Sequence, residues 1–178
     1  MRSVFIKVVL ERPSRRRAED VLKAVRRSRR LHANLVTPPA TRTGYDNYLQ
    51  YAERDDQAHF FVAIPESNEL AGVINIGVIV RGFSHSAPMS HYAFTPHAGQ
   101  GYMRAGLVQA INYAVRNLKL HRLEANIQPE NARSIRLVQG LGFRCEAYSP
   151  KYLKISGRWR DHERWAILTA KWRPRRAR

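Results

Sequence analysis

Gly99 and Gly101 lie between a run of alternating character, Met89 to Phe94, and a segment where Leu107, Ile111, Tyr113, Ala114 and Leu118 recur at threes and fours. The first period is that of a strand and the second that of a helix, so the stretch reads as strand, glycine turn, helix. Glycine accepts positive φ and lets a ligand approach the backbone closely. The first N–H groups of a helix have no partners within it, and the helix dipole there favours an anion. Gly99-Gln100-Gly101-Tyr102-Met103-Arg104 therefore reads as a phosphate cradle, with an ordinary glycine turn as the alternative. Glu124 is the second residue of interest. It lies mid-strand in Arg122-Leu123-Glu124-Ala125-Asn126-Ile127 and faces away from Leu123 and Ala125. A carboxylate there is costly unless an arginine pairs with it or chemistry uses it. His91 faces opposite to Tyr92 and is either a packed residue or a proton carrier.

These residues need elements to hold them. Met1 to Leu10 reads as a first strand. Pro13 and Ser14 open a first helix whose apolar stripe is Ala18, Val21, Leu22 and Val25. Pro38-Pro39 break the chain, and Thr43 is expected to cap a second helix carrying Tyr45, Tyr48, Leu49 and Ala52. The two helices form a lid-like insertion. From Ala58 the period is two, with strands at His59 to Ile64, Leu70 to Val80 and Ala87 to Phe94, an antiparallel meander. The strand at Arg122 follows a helical crossover, so it should run parallel to its predecessor. Asn131 caps a short helix bearing Ile135, Leu137, Val138 and Leu141, which stops at Gly142. Strands from Phe143 to Ile155 and Trp159 to Ala170 complete the chain.

The 178 residues suggest one domain, 1–172, followed by a basic tail, 173–178. No stretch approaches the roughly 18 apolar residues of a membrane span, and Lys7 interrupts the opening run, so a cytoplasmic protein is expected. A single cysteine, Cys145, excludes an internal disulfide framework and a cysteine-rich metal site; it is expected to be a buried thiol. Lys plus Arg number 31 against 14 Asp plus Glu, a formal charge of +17. Such a surface attracts polyanions: nucleic acid or a ribosome, an acidic cofactor, or an acidic protein. The arginines cluster at Arg15 to Arg17, Arg26-Arg27, Arg29-Arg30 and Arg173 to Arg178, which suggests a patch.

With the order of elements, four pieces of sequence carry a resemblance. They are Gly99-Gln100-Gly101-Tyr102-Met103, Asn131-Ala132-Arg133-Ser134, Leu141-Gly142-Phe143 and Gly157-Arg158-Trp159-Arg160-Asp161-His162. Together they resemble the GNAT superfamily of acetyl-CoA-dependent N-acetyltransferases, in its ribosomal-protein-alanine (RimJ/RimL-type) branch. The resemblance implies a mixed α/β chain of the α+β kind. Its central, mostly antiparallel twisted sheet of about seven strands is flanked by helices and splayed between 87–94 and 122–127. It implies acetyl-CoA with its pyrophosphate on the N–H groups from Gly99 to Met103. The pantetheine arm would lie beside Tyr92-Ala93-Phe94 and bond Asn131. Arg104 and Arg136 are phosphate partners or solvated arginines. Ala98 stands where the family's loop has Gln or Arg, so the backbone must carry the phosphate contact.

The implied reaction needs an amine freed of its proton, a donor for the oxyanion and a proton for the departing thiolate. A backbone N–H near Ala93 to Thr95 serves the oxyanion. The family's tyrosine acid falls on Val138 here and is missing. Ser134, one turn away on the same face, is the nearest hydroxyl, with helix capping as its other role; Tyr148 is a further candidate. Glu124 is the candidate base, with an arginine salt bridge as its alternative, and His91 the next choice. The acceptor is expected to be a protein N-terminus. A small amine such as an antibiotic or amino acid, or a non-catalytic RNA- or ribosome-binding module, is the alternative. A monomer or homodimer is expected, with no metal and no membrane contact.

Overall fold

The computed structural model describes residues 6–173. The elements are β1 (Val9–Glu11), α1 (Ala18–Arg27), α2 (Arg29–His32), α3 (Arg42–Ala52), β2 (Ala58–Ala63), β3 (Leu70–Ile76), β4 (Ser86–Ala93), α4 (Tyr102–Arg116), β5 (Arg122–Ile127), α5 (Ala132–Gly140), β6 (Arg144–Ile155) and β7 (Arg158–Leu168). One sheet holds all seven strands in the order β1-β2-β3-β4-β5-β7-β6. Every neighbouring pair is antiparallel except β4 and β5, which run parallel as the crossover through α4 requires. Among the described residues, no helix is long and apolar enough to cross a membrane.

Helices cover both faces at the centre, so β2 and β3 are buried nearly throughout. Phe60, Val62 and Ile74 pack with Leu107, Ala110 and Ile111 of α4. Their neighbours Phe61 and Val73 point the other way, against Val21 and Val25 of α1 and Tyr45 and Leu49 of α3. This is the period-two pattern read from the sequence, with each strand serving two cores.

The feature that makes the site is a break in pairing. β4 and β5 pair only at Ser86↔Arg122, Ala87↔Leu123 and Pro88↔Glu124. Beyond that β4 stays on β3 as far as Ala93, and β5 stays on β7 as far as Ile127. The strands therefore diverge into a wedge. Pro88, without an N–H, stands where the ladder stops.

Several expectations are corrected. The first strand is only Val9–Glu11, and residues 1–5 lie outside the described residues. Thr41, not Thr43, caps α3: it has the extended backbone a cap requires, and its hydroxyl accepts from the Gly44 N–H at 3.1 Å. The strand expected to reach Val80 ends at Ile76, because Val78 turns to φ 50° and only an isolated bridge joins Val80 to Ser86. The last strand ends at Leu168 in a 3₁₀ turn, Thr169–Lys171. Cys145 is exposed rather than buried, because β6 is the outer strand of the sheet.

Candidate active site

A cleft of about 1020 Å³ fills the wedge and continues to the start of α4. That volume suits a ligand of cofactor size. Gly99, Gly101, Met103 and Arg104 line one end, and Asn131, Ser134 and Arg136 the wall formed by α5. His91, Tyr92 and Ala93 form the β4 side. Gly101 is the N-cap of α4 at φ 89°, with no side-chain cap and no acidic residue in the first turn. The first intrahelical bond is Ala105 N–H to Gly101 O at 3.1 Å, so the N–H groups of Tyr102, Met103 and Arg104 come before it. A bare positive helix end opening on a basic cleft is an anion site.

Substitution at Gly101 is doubly resisted. The left-handed backbone costs a side-chain-bearing residue about 1–2 kcal/mol, and a Cβ there would come 2.5 Å from Ile6 Cδ1. Gly101→Val is expected to weaken CoA binding at least tenfold, about 1.4 kcal/mol. Calorimetry on the folded variant is the check; unchanged affinity removes the phosphate cradle.

The open edge of β4 forms the second half of the site. Phe94 N–H bonds Ala71 O on β3 at 2.8 Å. By alternation the N–H and C=O of Ala93 point the other way, into the wedge. Tyr92 and Phe94 turn their side chains into the α1/α3 core, 5.7 Å apart edge to face, and stiffen the strand from behind. Burial raises the Tyr92 phenol well above its ordinary value. His91 lines the cleft with both ring nitrogens unpartnered, and burial pushes it down to about 4, so it is neutral at neutral pH. A neutral imidazole with two unmet hydrogen-bonding atoms suits a polar ligand atom.

On α5, Asn131 Oδ1 accepts from the Ser134 N–H at 3.2 Å. Asn131 is thus the cap, and the Ser134 hydroxyl is not called on for it. Val138 is fully buried one turn further on. Gln100 and Tyr102 shape the turn instead of lining the cleft: Gln100 Nε2 donates to Pro96 O at 2.9 Å, and Tyr102 packs edge-on to His97 at 5.7 Å. Glu124 is not among the cleft-lining residues. Its Oε1 accepts from Arg122 Nε at 2.7 Å, and Oε2 lies 3.5 Å from Arg164 Nη2. Arg122 also donates to Glu146, and these carboxylates raise the guanidinium further above its ordinary value. Tyr148 sits exposed on β6 and donates to Asp161, away from the cleft.

The sequence left the far wall unread. Arg30, Leu31, His32, Leu35 and Val36, from α2 and the loop after it, close the cleft. Thr95 N–H donates to Ser28 Oγ at 2.9 Å, and His32 Nε2 lies 2.8 Å from Ala93 O. Gln128 Nε2 donates to Asn34 O at 2.9 Å. One helical segment is thereby tied to both diverging strands. The lid-like insertion was the only sequence signal for it.

An open strand edge running to a bare helix N-terminus defines a site for an extended, anionic, amide-bearing cofactor, and with it a group-transfer enzyme. Comparison with known proteins agrees. The acetyltransferase (GNAT) domain family matches residues 7–144, and the chain belongs to that family. It is 35% identical over 127 residues to the [ribosomal protein uS5]-alanine N-acetyltransferase of Escherichia coli K12, covering 71% of this chain and 66% of that protein. It is 34% identical to the probable N-acetyltransferase YjcK of Bacillus subtilis, over 68% of this chain and 67% of that one. These matches span about two thirds of the relatives' lengths. Among solved structures, Mycobacterium smegmatis RimJ in complex with CoA-disulfide superposes with a TM-score of 0.82 at 24% identity, over 92% of this chain and 83% of that chain. Within the GNAT family the chain groups with the RimJ-type branch.

Proposed function

We propose that the protein transfers the acetyl group of acetyl-CoA to a primary amine, and that the amine is a protein N-terminus of the ribosomal-protein kind. The observation that carries the reading is the open edge of β4 leading to the bare N-terminus of α4 within one cleft. The residues present fit the cofactor. The N–H groups of Tyr102, Met103 and Arg104 hold the pyrophosphate, with the Arg104 and Arg136 side chains as counter-charges. The Ala93 backbone and the amide group of Asn131 bind the amide-bearing arm, and His91 offers its unmet nitrogens to the same arm. When bound, acetyl-CoA supplies an acyl group activated as a thioester. Backbone N–H groups on the wedge edge of β4 steady the developing oxyanion, and Ser134 Oγ gives its proton to the sulfur.

Glu124 serves this site from outside as the middle of an ion-pair chain. Glu124→Gln is expected to lower the rate by a similar factor at every pH and to reduce stability by about 1 kcal/mol. A loss confined to neutral pH, vanishing where the amine is already neutral, would instead make Glu124 the base.

Charge argues for the acceptor class. Arg30, Arg104, Arg133 and Arg136 stand round the cleft against the single carboxylate of Glu130. Such a rim repels a polyamine and admits a neutral or acidic peptide. The E. coli relative is named for the N-terminal alanine of a ribosomal protein. The exposed arginines of α1 and α2 support a second contact, with a ribosome or RNA, away from the cleft. Thiol release from acetyl-CoA against a panel of N-terminal peptides and small amines tests the reading. Peptides are expected to be preferred; preference for a small amine moves the acceptor class, and no turnover with any amine removes the transferase.

A further inference from the structure

The proposed reaction needs a group to receive the proton that the amine sheds, and the described cleft contains few. Glu124 is held by two arginines and does not line it. Glu130 stands exposed at its mouth. Tyr92 holds its proton more firmly than a free phenol. His91 has been pushed so far down that it is a poor proton acceptor.

His32 is different. Its ring lines the cleft and is only 4% exposed. Tyr92 stands edge-on to it at 5.3 Å, and Phe94 is tilted against it at 6.0 Å. Nε2 lies 2.8 Å from the Ala93 carbonyl oxygen, an acceptor only, so Nε2 must carry the hydrogen. That bond fixes the tautomer and leaves the lone pair on Nδ1, which has no partner. A buried imidazole with one nitrogen anchored to a carbonyl and the other unsatisfied is built to take up a proton.

We propose that His32 is the proton acceptor for the incoming amine, with Nδ1 the receiving atom. The inference rests on the transferase reading. The amine lone pair forms the C–N bond to the acetyl carbon. The C–S bond breaks with its electron pair going to sulfur, and sulfur takes the Ser134 hydroxyl proton. The proton shed by nitrogen goes to His32 Nδ1, and solvent resets both groups. The charged and titratable groups lining the cleft around His32 are Arg30 on α2, His91 and Tyr92 on β4, Arg104 on α4, Glu130 before α5, and Arg133 and Arg136 on α5. Desolvation lowers His32 below its ordinary 6.5, the bond to Ala93 opposing this in part. The ring is thus neutral and receptive near neutral pH, and that capacity is lost as pH falls through the lowered value.

His32→Gln keeps an amide N–H for Ala93 O but removes the basic nitrogen. Near neutral pH its kcat/KM on a preferred peptide is expected to fall about a hundredfold. The acid limb of the pH–rate profile should disappear, while CoA affinity stays within about twofold. An intact acid limb, a rate within about threefold of wild type, or a loss of CoA affinity matching the loss of rate overturns the proposal; the last would leave His32 as a strap alone. Nitrogen NMR of the wild-type imidazole needs no variant and no acceptor. A neutral Nε2–H tautomer near neutral pH is expected, protonating only below 6.5; an Nδ1–H tautomer or a cation overturns the proposal. Failure of the transferase reading looks different: wild type acetylates no amine whatever the tautomer of His32, and that result also removes the proton-acceptor role.

Discussion

Ser134→Ala is expected to cut kcat about a hundredfold, roughly 2.7 kcal/mol in the barrier, while CoA affinity changes less than about twofold. The thiolate leaving CoA is a poor base-stable product in an apolar crevice, and a positioned hydroxyl lowers the cost of releasing it. α5 offers no other side-chain hydroxyl: Val138 holds the next inward position, and Leu137 is the neighbouring cleft residue. The cap of α5 survives the substitution, because the capping oxygen belongs to Asn131 and the donor is the Ser134 backbone. Helix stability should therefore be untouched, which separates chemistry from structure. Thiol release gives kcat, and calorimetry gives the affinity. An equal loss in both makes Ser134 a residue that shapes the cofactor site and leaves the proton to another donor.

The second large effect lies outside the cleft. Arg15, Arg16, Arg26, Arg27 and Arg29 are exposed, and none has a carboxylate within 4.0 Å among the described residues. Arg17 does not belong with them. It donates to both oxygens of Glu11 at 2.8 Å and to Asp20 at 3.0 Å, pairs that hold β1 to the start of α1. Arg30 lines the cleft and is left intact. Residues 174–178 of the expected tail lie outside the described residues. Reversing the five exposed arginines to Glu is expected to abolish ribosome or RNA co-sedimentation at low salt and to leave free-peptide turnover within about twofold. Five phosphate contacts imply that wild-type binding weakens a few hundredfold between roughly 50 and 200 mM salt. If wild type does not co-sediment at low salt, the charge serves solubility alone. If peptide turnover collapses with the reversals, the arginine face belongs to the acceptor site.

Local chemistry explains what could be read in advance. β5 was bounded at Arg122 and Ile127 because alternation and flanking turns coincide there. Gly101 and Asn131 announce themselves because a left-handed residue and a helix cap each demand particular residue types. Cys145 was misread because alternation gives a strand's faces but not its place in the sheet; β7 lies between β5 and β6 and leaves β6 outermost. Glu124 carried two readings because its partner Arg164 is 40 residues away and meets it only across β7. His32 carried none: a histidine at the end of a one-turn helix has no pattern, and its meaning comes from a strand sixty-one residues later.

The ties from Ser28, His32 and Gln128 have a mechanical corollary. A diverging strand pair has no internal bond to set how wide it opens. Here the span is set by the segment from Ser28 to Leu35, anchored to the end of β4 on one side and the end of β5 on the other. Gape is therefore a property of that tether's length, separable from the phosphate cradle and from Ser134. Adding or removing a residue between His32 and Leu35 would retune the fit for longer or shorter acyl groups while every residue of the glycine turn stayed in place.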